Sequence, residues 1–178
     1  MTLADERLRE LDNPSLTENG RALLRCRVAA DLIHKGQYDA AREALGDLWR
    51  GVGERPNVEG LDENTTAEVL LQVGALSGWI GASRQVAGAQ ATAKDFISES
   101  TALFERLGQG SRAAFARSDL ALCYWREGAY SEARVLYVRA FDELADTQQR
   151  AKVLLRRLTV EYSARRYDDA LVLLTRHA

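Results

Sequence analysis

The chain has 178 residues, 26 of them acidic and 24 basic, for a formal net charge of −2, and 46% of its side chains are apolar. That length holds one domain or a short array of repeats with enough chain to bury a core. Near-neutral charge argues against a dedicated nucleic-acid binder, which carries a basic excess. Prolines occur only at 14 and 56, strand-forming runs are scarce, and Ala, Leu, Arg and Glu are abundant, so the fold class is expected to be all-α.

In chain order, Asp5 to Leu11, ahead of Asn13-Pro14, alternates charge with leucine and is expected to form a short capping helix within residues 1–13. It lacks the apolar stretch of about 7–15 residues that a signal peptide needs. No stretch approaches the ~18 apolar residues of a membrane span. The expected location is the cytoplasm. Arg21 to Lys35 reads as a helix, and a second one opens at Tyr38 after Gly36-Gln37. The loop Gly51 to Glu63 carries three glycines and Pro56. Ala67 to Ile80 is the next helix. Asn64-Thr65-Thr66 matches a glycosylation sequon but is better read as its start, with Asn64 or Thr65 as the cap. Ala89 to Leu107 is its partner, across a turn in Gly81 to Gly88. Gly108-Gln109-Gly110-Ser111 reads as a helix stop followed by a serine cap, rather than an anion-binding helix start. Ser111 to Glu127 and Gln148 to Arg165 are two further first helices, followed by second helices opening at Tyr130 and Tyr167.

Three breaks share one pattern, an aromatic residue followed three positions later by alanine: Tyr38 to Ala41, Tyr130 to Ala133 and Tyr167 to Ala170. Gly36 and Gly128 can take the left-handed conformation that ends a helix without steric cost. The alanines let paired helices approach closely. The third copy has arginine where the others have glycine, so its turn must be built differently or carry strain. Gly128, Tyr130, Ala133 and Ala140, preceded by Leu120, Ala121 and Tyr124, resemble the tetratricopeptide repeat family, and Gly36, Tyr38, Ala41, Tyr167 and Ala170 match in the other copies. The resemblance covers about Gly20 to the C-terminus. It implies a right-handed superhelix, an α-solenoid of about four helical hairpins over residues 16–50, 64–107, 110–145 and 147–178, with a concave peptide-binding groove. With the cap, nine helices are expected. Ala93 would open the second helix of repeat two; its 52-position spacing from Ala41 exceeds the repeat period of ~34, an excess expected in the loop Gly51 to Glu63 and around Gly81 to Gly88, with both helices longer than usual.

No motif in the sequence names a reaction. Gly74, Gly78, Gly81 and Gly88 follow no strand, and their spacing suits close helix packing better than phosphate cradling. Cys26 and His34 are about 12 Å apart along one helix, too far to share a metal. Cys26 and Cys123 are expected to be reduced, half-buried thiols. Gly81-Ala82-Ser83 lacks the closing glycine of a nucleophile elbow. The paired acids Asp62-Glu63 and Asp168-Asp169 sit where helix starts favour negative charge. No catalytic residue, cofactor or metal is expected. The basic residues Arg150, Lys152, Arg156, Arg157, Arg165 and Arg166 face only Glu161 in their own stretch, yet at 100° per residue they spread around the helix. A nucleic-acid role is therefore not expected.

In the family that this chain resembles, first helices line the groove. That implies Gln72, Trp79, Asp119, Trp125, Arg126, Arg156 and Tyr162 as groove residues, with Arg126 and Arg156 meeting a carboxylate of the partner. The alternative for the two tryptophans is packing between neighbouring hairpins. Cys26, Ala30, Leu71, Ala75, Ser118 and Leu122, at the positions of a chaperone-tail carboxylate clamp, are mostly apolar and do not support one. The functional expectation is a non-enzymatic interaction module for a peptide or protein segment. Gly78-Trp79-Ile80-Gly81 and the alanine-rich second repeat resemble bacterial repeat regions attached to metallopeptidase-type regulators. That implies an alternative, a regulatory or oligomerisation domain of a larger bacterial enzyme or signalling protein. Leu171, Val172, Leu173 and Leu174 crowd the last helix, so a further repeat or a second copy is expected to cover it.

Overall fold

The computed structural model describes residues 14–177, so the expected capping helix at Asp5 to Leu11 lies outside the described residues. Eight α-helices follow: α1 Glu18–His34, α2 Tyr38–Leu45, α3 Glu63–Arg84, α4 Ala89–Arg106, α5 Gly110–Arg126, α6 Tyr130–Glu143, α7 Thr147–Ser163 and α8 Tyr167–His177. A 3-10 turn, Gly46–Leu48, follows the second helix.

Short polar side chains start three of the first helices. Thr17 Oγ1 accepts from the Gly20 amide at 3.1 Å, Asp62 Oδ1 from Thr65 at 2.7 Å, and Asp146 Oδ1 from Gln149 at 2.7 Å. The cap of α3 is thus Asp62, ahead of the expected Asn64 or Thr65. Thr65 is buried, and Asn64 Oδ1 instead accepts from Gln109 and Arg112 at 2.9 Å. Ser111 is likewise not a cap: α5 begins at Gly110 behind Gln109, without a side-chain cap bond. The second repeat is long, as expected, with 22 residues in α3 and 18 in α4. Its turn is shorter than expected, because α3 runs through Gly81 to Arg84 and ends on Gln85.

The helices pack as sequential hairpins, α1 on α2, α3 on α4, α5 on α6 and α7 on α8. Each first helix also touches the next first helix, and each second helix reaches the first helix of the following hairpin. The first helices therefore form one continuous layer. Ala41, Ala93 and Ala133 have no exposed surface, as close approach within the hairpins requires. Two apolar clusters result. One joins α1 to α4 with Ala113, Ala116 and Cys123 of α5, and the other gathers Ala114 and Ala121 with Tyr137, Leu144, Val153 and Val160. Helix α5 is hence covered on two sides. Cys26 and Cys123 are free thiols, but fully buried rather than half-buried, because each sits on a helix with neighbours on both flanks. Burial pushes the Cys26 thiol up to about 12 and the Cys123 thiol to about 11.

The loop before α3 is ordered by its own contacts. Trp49 is buried and donates through Nε1 to the Glu54 carbonyl at 3.0 Å, while Asn19 Oδ1 of α1 accepts from the Asp62 amide at 3.0 Å. Among the described residues, no helix is long and apolar enough to cross a membrane.

Two buried charges tie hairpins together. Arg117 on α5 pairs with Glu105 on α4 and Glu143 on α6. Glu161 on α7, fully buried, accepts from Arg134 Nε of α6 at 2.8 Å and lies near Arg157 and Arg166. Removing one partner of such a pair would leave a buried charge uncompensated.

Candidate functional site

The layer of first helices carries two adjoining clefts. The deeper one, about 460 Å3, takes His34 from α1, Gln72, Ala75 and Trp79 from α3, Phe115 and Asp119 from α5, and Arg156 from α7. All four first helices contribute. Its neighbour, about 630 Å3, is lined by Tyr38, Trp79, Trp125, Arg126, Tyr130 and Ser163, with Ala82 and Ser83 at its rim. Tyr38 and Trp79 belong to both.

Trp79 is the hinge between the clefts. The Tyr38 ring stacks on it, with centroids 5.3 Å apart and planes 15° from parallel. The Arg126 guanidinium lies over the same indole, 3.9 Å from its centroid. Residues from α2, α3 and α5 thus meet at one ring. Trp125 is half-buried against the second apolar cluster and donates through Nε1 to Ser163 Oγ of α7 at 2.9 Å. Both tryptophans pack between neighbouring hairpins and also line the cleft, so the two readings of them are not exclusive.

The two arginines differ in kind. Arg156 donates through Nη1 to Asp119 Oδ1 and to Ser118 Oγ, each at 2.7 Å. Burial opposes its charge, but the Asp119 carboxylate outweighs that and holds the guanidinium above the ordinary arginine range. Arg156, expected to meet a partner's carboxylate, is thus already engaged by an acid of its own chain. Arg126 forms no such ion pair among the described residues, and the Asp119 carboxylate acts on it only from a distance. Its Nη2 is buried without an acceptor, and burial, ahead of every other influence, draws its pKa below the ordinary value. Its place is made by Gly78, where a Cβ would come within 3.0 Å of Arg126 Nη1.

Of the seven expected groove residues, Gln72, Trp79, Asp119 and Arg156 line the deeper cleft, and Trp79, Trp125 and Arg126 the other. Tyr162 lines neither; it is 69% exposed and meets Tyr167 edge-on at 5.6 Å. Sequence reading missed Tyr38 and Tyr130 as cleft residues. The signal was present, since both open second helices in the same register. Around the basic stretch, Arg150 lies over the Phe141 ring and donates to the Leu144 carbonyl at 3.1 Å, and Arg157 and Arg166 lie beside Glu161. Among the described residues, no group of three or more His, Cys, Asp or Glu is placed to hold a metal ion. No family model matches the chain, and no curated protein or solved structure matches it either.

Proposed function

We propose that the chain is a tetratricopeptide-like, right-handed superhelical stack that binds a peptide or protein segment on its first-helix face, without catalysing a reaction on it. The observation that carries this reading is the lining of the deeper cleft by side chains from α1, α3, α5 and α7 together. A surface assembled from four hairpins is held rigid by their cores, and a rigid groove loses little freedom on binding. Aromatic and arginine side chains, which most often dominate binding energy, are concentrated there. The test is to pan a random displayed-peptide library on the chain and titrate the bound peptides against two variants. Ala82→Trp fills the cleft rim and is expected to weaken binding roughly tenfold or more. Val135→Asp, at a 69% exposed position on α6, is expected to leave it unchanged. The reverse pattern moves the binding surface to the second helices.

The last helix favours a second reading. Leu171, Val172 and Leu174 are 59%, 53% and 49% exposed, whereas Leu173 is buried. An exposed apolar strip of this kind suits a second copy of the chain docked through α8, or a covering segment if the chain is the regulatory or oligomerisation part of a larger protein. Light scattering of Leu171→Asp/Leu174→Asp beside the parent chain separates these readings. Only self-association predicts a parent of higher mass that falls to the monomer in the variant.

A further inference from the structure

Resting on the first-helix face as the peptide groove, we infer that the Tyr38–Trp79–Trp125–Arg126 cleft accepts an acidic segment, one carboxylate meeting Arg126 and a neighbouring apolar side chain lying on the aromatic rings.

The unfilled valence is specific. Among the described residues, the buried Arg126 Nη2 has no acceptor, and the guanidinium forms no ion pair. A guanidinium largely withdrawn from water without an acid is costly, and Arg126 lines the cleft, so a carboxylate seated there offsets that charge. The group is also held in place, over the Trp79 ring and in the space left by Gly78. Its charge is thus presented at a fixed point of the cleft.

The surrounding charge selects the same partner. Lys35, Arg126 and Arg156 line the two clefts, against Asp119 as their carboxylate, and Asp119 is already taken by Arg156. A cationic ligand is disfavoured, because the indole face that would attract it already holds Arg126. The rest of the 630 Å3 cleft is mainly aromatic, which suits a leucine or phenylalanine beside the acid. A nucleic-acid strand fits less well. Strand-tracking grooves carry several free cations in series, whereas here Arg156 is neutralised by its own chain.

The experiment uses the full chain and end-blocked peptide libraries with a fixed central Glu-Leu or Asp-Phe pair, beside the same libraries carrying Gln-Leu or Asn-Phe. Fluorescence anisotropy is expected to show the acidic libraries binding about tenfold more tightly, with the difference lost in Arg126→Gln. Should that variant not fold, Ser83 at the exposed rim decides: Ser83→Glu must weaken acidic binding and Ser83→Lys must strengthen it. Equal affinity for acid and amide libraries overturns the inference and leaves the peptide groove standing. Binding of neither overturns both. Oligothymidylate bound in an Arg126-dependent way, without preference for acidic peptides, reassigns the cleft to nucleic acid.

Discussion

Arg156 on α7 reaches across to Asp119 on α5 and donates to its carboxylate at 2.7 Å, joining the first helices of the third and fourth hairpins. Their side chains are only 23% and 12% exposed, so solvent screens the pair weakly. Asp119→Ala would leave the guanidinium with Ser118 alone. A loss of about 2 kcal/mol is expected, as for a hydrogen bond to a charged group. Urea unfolding measures it; a change below about 0.5 kcal/mol would mark the pair as incidental.

Arg126, seven residues along the same helix, is expected to behave in the opposite way. Arg126→Met keeps an adaptable side chain over Trp79 and removes a charge whose buried Nη2 has no acceptor among the described residues. Stability should stay within about 1 kcal/mol of the parent or rise. A drop of more than about 2 kcal/mol would make Arg126 a structural strut rather than a group kept for a ligand.

Gly81 sits inside α3 against the start of α4, where an added Cβ would fall 2.2 Å from the Ala89 Cβ. Helix propensity alone favours Gly81→Ala by about 1 kcal/mol. The clash opposes it, because the Ala89 methyl cannot move without its backbone, and overpacking costs about 1–3 kcal/mol. Net destabilisation is expected, read as a lower thermal midpoint. A raised midpoint would show that the hairpin opens freely at this end.

Arg165 has φ +59° at the turn where the equivalent positions of the first and third hairpins hold Gly36 and Gly128 at φ +72° and +79°. The left-handed conformation costs a residue with a Cβ roughly 1–2 kcal/mol. Glycine gives back part of that through the freer unfolded chain, about 0.4–1 kcal/mol. Arg165→Gly should therefore stabilise the protein by roughly 0.5–1 kcal/mol, measured by chemical denaturation. Destabilisation would mean that the arginine side chain contributes more than its backbone loses.

The two thiols set an alkaline limit. Burial raises both above 9.0, Cys26 to about 12 and Cys123 to about 11. Above pH 9.0 the unfolded chain releases these protons while the folded chain keeps them, so stability falls as pH rises from there towards 11 and 12. The stabilisation is fully present below pH 9.0. Urea unfolding at pH 8 and pH 10 should show the fall, reduced in Cys26→Ala/Cys123→Ala. Ellman's reagent should label neither thiol in the folded chain at pH 8 and both in urea; fast labelling of the folded chain would contradict their burial.

Hairpin positions were legible in the residues themselves. Tyr38, Tyr130 and Tyr167, each followed three positions on by alanine, mark second-helix starts that the structure reproduces, because local backbone freedom and close helix contact are properties of neighbouring residues. The strained third turn was legible too, since arginine stands where glycine is suited. Capping was less so. Asp62, Asn64 and Thr65 are all competent caps, and the choice fell to Asp62 once Gln109 and Arg112 of a later hairpin had engaged Asn64. The cleft was legible as a list of residues but not as a set of partnerships. Sequence alone placed Arg126 and Arg156 on one footing, as two cations on a first-helix face. Only the packing of α7 beside α5 gave Arg156 an acid, and only the missing side chain at Gly78 gave Arg126 a slot over Trp79 without one. Periodicity and turn chemistry act over a few residues and can be read along the chain. Charge pairing across 37 positions depends on which helices become neighbours, and that is decided by the fold as a whole.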